Sequence, residues 1–371
     1  MIIITLPRLL KIFTMTMLVS GMTGHPALLA QEQGEQPKPP KLFESEEPLA
    51  ITLSAPWHEI VRNEDYQGTY PATLEYRDAS GNPVQLALTV ERRGVKRQEA
   101  CDFPPIKWRF EKDAVKGTMF RGQGSIKMVT HCERSSKFEQ YYRLEMLSYR
   151  IYNLLSDYSF RVRPLKVDYV DSKEDKVDDG RFAFIIEDDS DVAKRNGLKK
   201  LEIHRVMPSR LEPETTSVFT LFQLLISNLD WSALKGPGTV ECCHNVKPIA
   251  PRPLQDDDPI IPVPYDFDAS GLVNAPYAGP PLGLGVRTVR QRLYRGFCIH
   301  NDLLPTTRAK ILANETAIRG IIQNDEMLTN NIRKNSLKSL EKYFEMMRDD
   351  DWLLYTSPSP RDLIAQLVCR L

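Results

Sequence analysis

TYPATLEYRD (Thr69–Asp78), VQLALTVERRG (Val84–Gly94), PIKWRFEK (Pro105–Lys112) and GSIKMVTH (Gly124–His131) alternate apolar and polar residues, with turn formers such as Ser80, Gly81 and Asn82 between them. A period of two gives each segment one buried and one wet face, so the stretch predicts a mostly antiparallel sheet. In EQYYRLEMLSYRIYNLL (Glu139–Leu155) the period changes, and Leu144, Leu147, Ile151 and Leu154 fall on one stripe of a helix that packs on that sheet. RVRPLKVDYVD (Arg161–Asp171) and RFAFIIEDD (Arg181–Asp189) are rich in branched and aromatic residues and read as two more strands joined by a charged loop, 172–180. Past Glu214, Val218, Leu221, Phe222, Leu225 and Leu229 follow the spacing of a core-facing helix. After a proline-rich segment, 248–281, further helices are expected at Val286–Phe297, Thr307–Ile322 and Leu328–Met347. The class is α+β, with a β-rich N-terminal half over 49–190 and an α-rich C-terminal half over 191–352.

The two ends read differently. Arg8 and Lys11 precede an apolar run, Ile12–Val19, and small residues lead to Ala30, the order of a cleavable secretory leader over 1–30. The mature chain is then expected to begin near Gln31 with a polar, flexible linker over 31–48, and to work outside the cytoplasm, periplasmic or secreted. No later segment offers the roughly twenty apolar residues of a membrane anchor. LLYTSPSPRD (Leu353–Asp362) is similar to a translation of sequencing-adapter DNA, and LVCRL at the end fits the primer that follows it. Residues 353–371 are therefore expected to be an artefact rather than natural protein.

The 49 basic and 49 acidic residues balance, and no basic stripe appears, which argues against a nucleic-acid partner. Export permits disulfides. Cys101 and Cys132 flank one strand-rich stretch and form the first expected pair; one of Cys242 and Cys243 is expected to pair with Cys298. Cys242, Cys243 and His244 are contiguous but lack the separated pairs of a zinc knuckle.

Three polar features interrupt the second half: Asp230 behind a buried helix, His244 and Asn245 before the apolar stretch Val246–Ile249, and Asp266 and Asp268 after the apolar run Ile260–Val263. Phosphoryl transfer needs a carboxylate to orient or deprotonate the acceptor hydroxyl, and oxygen ligands to hold magnesium on the phosphates. Asp230, Asn245 and Asp266 are the residue types for that work. Taken singly, each also has a structural reading as a helix terminator, a turn or a strand end. The run Asp256–Asp258 reads as a solvated acidic loop.

In order and motif these segments resemble the spore-coat CotH kinases and, more distantly, the HipA-type kinases. ERRGVKRQEACDFPPIKWRFEK (Glu91–Lys112) resembles the RG-then-lysine strand pair of the CotH N-terminal lobe, and Glu139–Leu155 the helix that follows it. FAFIIEDD (Phe182–Asp189) looks like the strand leading to the interlobe hinge, SNLDWSALKGPGTVECCHNVKPI (Ser227–Ile249) like the catalytic loop, and PVPYDFDASG (Pro262–Gly271) like the metal-binding segment. The resemblance implies a two-lobed protein-kinase-like fold binding ATP and Mg2+. It implies Asp230 as catalytic carboxylate, Asn245 and Asp266 as metal ligands with Asp268 as a second candidate, Lys107 or its rival Lys127 on phosphate, and Glu187 beside the nucleotide. Glu139 or Glu145 would pair with that lysine.

The departures are an apparent insertion, Leu234–Cys243, between Asp230 and Asn245, and a weak phosphate loop, RGQGS at Arg121–Ser125. Two functions follow: an exported phosphotransferase acting on an unidentified protein or small-molecule hydroxyl, or a non-catalytic envelope protein of the same shape. ATP is scarce outside the cytoplasm, so the leader and the enzyme reading pull against each other.

Overall fold

In the computed structural model, residues 38–63, 68–94, 96–174, 176–238 and 241–352 are described. The expected leader and the 353–371 tail lie outside these residues. Where the expected linker is described it packs: Leu42 and Phe43 are buried, and Arg163 donates to the Leu42 carbonyl at 3.0 Å.

The alternating segments become β1 (Leu49–Ala55), β2 (Thr69–Arg77), β3 (Pro83–Arg92), β4 (Ile106–Arg109), β5 (Ser125–Val129), β6 (Val162–Asp171) and β7 (Val177–Ile186). Turn chemistry sets the β2–β3 hairpin, because the Asp78 carboxylate accepts the N–H groups of Ser80 and Asn82 and Gly81 takes a φ of +83°. The seven strands close in the order β1-β2-β3-β4-β5-β7-β6. All neighbours are antiparallel except β1 and β6, which run parallel from Leu49 opposite Leu165 to Ala55 opposite Asp171.

This closure overturns the two-lobed kinase-like fold expected above. β1, which precedes the first expected strand, pairs on one side with β2 and on the other with β6, so the sheet has no free edges and becomes a mixed barrel with its own interior. Leu53, Val90, Trp108, Met128, Val167 and Ile185 fill that interior.

The helices are α1 (Trp57–Arg62), α2 (Lys96–Ala100), α3 (Ser136–Asn153), α4 (Asp189–Arg195), α5 (Pro213–Leu225), α6 (Leu304–Ala313), α7 (Glu315–Gln323) and α8 (Asn330–Arg348). Proline in its first turn and the Glu212 carboxylate, which accepts from the N–H groups of Glu214 and Thr215, start α5. A second core lies outside the barrel, where Phe182, Phe184 and Ile186 of β7 meet α3, α5 and α8. Tyr152 of α3 packs on Phe222 of α5 with ring centres 4.6 Å apart. Between barrel and helices lies a small sheet of β8 (Lys199–Lys200), β9 (Val246–Ala250) and β10 (Ile261–Pro264), ordered β10-β9-β8.

Two expectations about the C-terminal half change. Val286–Phe297 is irregular rather than helical, because Arg292 reaches the carbonyls of Leu225 and Ser339 and Arg295 those of Leu229 and Trp231. These tertiary bonds hold the chain in an irregular path against its helical period. The stretch expected as one helix over Thr307–Ile322 is broken at Asn314 into α6 and α7.

Candidate functional site

The β9–β10 ladder determines where the expected site residues go. Val246 pairs with Pro264, so Asn245, just before β9, and Asp266, two residues past β10, leave the same end of the ladder. The Tyr265 N–H donates to the Asn245 carbonyl at 3.2 Å. Asn245 and Asp266 both have left-handed backbones, with φ of 52° and 61°. Such conformations in non-glycine residues cost of order 1 kcal/mol or more and concentrate at functional sites.

Asp230 arrives from the other side. The chain leaves α5 through Ser227, also left-handed at φ 54°, and Ser232 then bridges to His244 through paired backbone hydrogen bonds of 2.9 and 3.0 Å. That bridge brings the Asn245 amide to Asp230, where its Nδ2 donates to the backbone carbonyl at 2.7 Å and to Oδ2 at 3.3 Å. His244 Nε2 lies 2.9 Å from Asp230 Oδ1. The segment Leu234–Cys243 that separates Asp230 from Asn245 in sequence is thus looped out. Within it Cys242 and Cys243 are at disulfide distance from each other, not paired through Cys298 as expected.

Arg97 of α2 organises the acidic side. It donates from Nη2 to Glu145 Oε2 at 2.6 Å and from Nε to Asp268 Oδ2 at 2.9 Å, and lies 3.7 Å from Asp266 Oδ1. Asp268 also accepts from the Tyr277 hydroxyl at 3.0 Å, and the Tyr149 hydroxyl accepts the Asp266 N–H at 2.8 Å. Burial raises the pKa of Glu145 to about 8; Arg97 opposes this, while Asp268 and Asp266 add to it. Burial and the neighbouring Asp268 likewise raise Asp266, against Arg97 and Arg93. Three carboxylates therefore share one buried guanidinium, and Glu145 Oε1 is buried without a hydrogen-bond donor. Asp266 keeps 36% of its side-chain surface exposed.

Barrel register builds the basic side. Glu91, Lys107 and Lys127 stand opposite one another on β3, β4 and β5, and these directly paired residues share the barrel's outer face. Lys107 pairs with Glu91 at 3.4 Å and stays with the barrel wall. Lys127 instead reaches Tyr265, the neighbour of Asp266, with its ammonium 5.1 Å from the ring centre, and Lys247 of β9 lies at 5.1 Å from the same ring. Burial, then the charges of Lys247 and Arg93, lower the pKa of Lys127 to about 8. Burial would raise Asp189, at the start of α4, but Lys127 and Lys247 hold it below the usual range.

The structure thus brings Asp230, Asn245, Asp266 and Asp268 together, places Lys127 on the adjoining Tyr265 ring with Asp189 as its acidic neighbour, and leaves Lys107 and Glu187 apart. Glu187 is fully buried, accepting from Arg195 Nε at 3.1 Å and from the Arg161 N–H at 3.0 Å. Neither expected glutamate pairs with a lysine: Glu145 takes Arg97, and Glu139 takes Arg181 at 2.9 Å. Arg97 and Lys247 escape sequence reasoning. The only local hint is the basic run flanking the RG dipeptide, Arg92, Arg93, Lys96 and Arg97.

The disulfide expected between Cys101 and Cys132 is at bonding geometry, with Cα atoms 4.6 Å apart, and ties the end of α2 to the chain leaving β5. Among the described residues no group of three or more histidine, cysteine, aspartate or glutamate side chains is arranged to hold a metal ion. No helix among them is long and apolar enough to cross a membrane. Compared with protein-family models, curated proteins and solved structures, the chain matches none.

Proposed function

We propose that this chain is a magnesium-dependent phosphotransferase that moves the terminal phosphoryl group of ATP to a hydroxyl of a protein or small molecule, outside the cytoplasm. The observation that carries the reading is the convergence at one ladder end of Asp230 and the left-handed Asn245 and Asp266, with the cations Lys127 and Lys247 on the adjoining Tyr265 ring. It rests on this site, not on a kinase-like fold.

The charge balance supports a cation. Asp266 and Asp268 outnumber Arg97 even with Glu145, raised to about 8, protonated at neutral pH, and the Asn245 amide, spending its Nδ2 on Asp230, keeps its oxygen for another partner. Magnesium is commonly held by one or two carboxylates while phosphate oxygens and water complete its shell, so the residues fit an ion that arrives with a nucleotide. Asp266 and Asn245 would hold it, and it would neutralise charge developing on the transferred group.

Lys127 and Lys247 bind and orient the phosphates from the barrel side, and Arg97 keeps Asp268 and Glu145 in place behind Asp266. Asp230 takes the proton of the acceptor hydroxyl as that oxygen bonds to the terminal phosphorus. The bond from phosphorus to the bridging oxygen breaks and ADP leaves. His244 and Asn245 hold Asp230 in one rotamer for that transfer. The Cys101–Cys132 disulfide supports an oxidising location.

The test is the full chain incubated with terminally labelled ATP and a set of hydroxyl-bearing protein and small-molecule acceptors. Transfer that requires magnesium and is lost in Asp230→Asn, with nucleotide binding retained, is the expected result. Binding without transfer would leave a nucleotide-holding protein, and no nucleotide binding would refute the reading.

A further inference from the structure

Away from Asp266, a cavity of about 470 Å3 lies between α8 and the chain at 271–274 and 290–292. Its α8 wall is one helical stripe, Asn331, Asn335, Lys338 and Lys342, spaced so that each side chain stands over the next. Arg290 and Arg292 face it from the other wall. Four cations therefore line this cavity, and among the described residues no carboxylate lines it or lies within ion-pairing distance of any of the four. Arg292 donates to the carbonyls of Leu225 and Ser339, but its Nε is buried without an acceptor. Burial pulls Arg292 down to about 10, which leaves it charged at neutral pH.

The wall is preformed. The N–H groups of Gly271 and Leu272 donate to the carbonyls of Ser227 and Ile226, each at 3.0 Å. A Cβ on Gly271 would meet the Val289 carbonyl at 2.4 Å and Ser227 Cβ at 2.7 Å, so this close approach requires glycine.

We infer that this cavity binds a compact polyanion, a small molecule carrying two or more phosphate groups. Its volume falls in the range of roughly 300–1,000 Å3 typical of small-ligand sites. Four cations exceed the charge of about −1.5 to −2 carried by one phosphate group, so balancing them takes two or more. The ligand draws its affinity from charges that lack a protein counter-ion, so its binding is strongly salt-dependent.

The experiment titrates inorganic tripolyphosphate, without metal, into the full chain carrying Lys127→Met, which removes the phosphate-binding lysine beside Tyr265, and into the same chain carrying the double variant Lys338→Glu with Lys342→Glu as well. Both lysines of the double variant are exposed on α8, and circular dichroism and the thermal midpoint verify that its fold is kept. Binding to Lys127→Met that weakens with salt and falls about tenfold or more when the double variant is added supports the inference. Equal affinity in the double variant overturns it. So does a Lys127→Met chain that binds no tripolyphosphate, which would leave the site beside Asp266 as the polyanion's place.

Discussion

Replacing Arg97 by methionine keeps most of the side chain's length and removes its charge from among Glu145, Asp266 and Asp268. Two close charge-assisted hydrogen bonds disappear, at 2.6 and 2.9 Å, together with a looser contact at 3.7 Å. Each close bond is worth about 1.5–3 kcal/mol, and breaking a buried ion pair by removing one partner typically costs about 3–5 kcal/mol. The Glu145 side chain has no solvent exposure and cannot turn to water, so the expected loss is about 3–5 kcal/mol, a large part of the roughly 5–15 kcal/mol that holds a typical domain folded. Urea unfolding followed by tryptophan fluorescence should show a midpoint lowered by about 1 M or more. Adding Glu145→Gln to Arg97→Met should recover about 1 kcal/mol or more, because the fold then no longer buries a carboxyl that must take up a proton at neutral pH. A loss below about 1 kcal/mol in Arg97→Met, or no recovery in the double variant, would refute the idea that one guanidinium holds these carboxylates together.

Further outcomes follow from other groups. Lys127, lowered to about 8, is charged below that pH and neutral above it, so calorimetric affinity for ATP should fall between pH 7 and 9, and Lys127→Met should bind weakly with no such slope. His131 is buried against Phe103, with ring centres 4.5 Å apart, and burial depresses its pKa to about 3. The unfolded chain therefore binds a proton that the fold refuses between pH 6.5 and 3. Stability should drop with acid through that window, and thermal midpoints of His131→Leu should flatten that limb. Replacing Cys101 and Cys132 by serine opens a loop of 31-residue separation, and loop-closure entropy puts the loss at about 3–4 kcal/mol in a thermal or urea melt.

Local periodicity carried β2 to β7 and the helices α3, α5 and α8, because alternation and a helical stripe are properties of neighbours in sequence. Barrel closure was not legible: β1 was not among the expected strands, and nothing in its residues says that it pairs in parallel with β6 more than a hundred positions later. The ordered polar residues Asp230, Asn245 and Asp266 stood out because each follows or precedes an apolar element, and the ladder end gathers them. Arg97 did not stand out, since its partners Glu145 and Asp268 lie 48 and 171 residues away and only the fold supplies them. Val286, Val289, Leu293 and Phe297 recur at helical spacing, yet Arg292 and Arg295 between them bind distant carbonyls and override the pattern.

The most direct test of the central claim is calorimetric titration of a non-hydrolysable ATP analogue, with and without magnesium, into the native chain and Asp266→Asn. Magnesium should tighten binding to the native chain by about tenfold or more and have no such effect on the variant. Equal magnesium response in the two proteins, or a native chain indifferent to magnesium, would contradict a nucleotide-borne metal at Asp266.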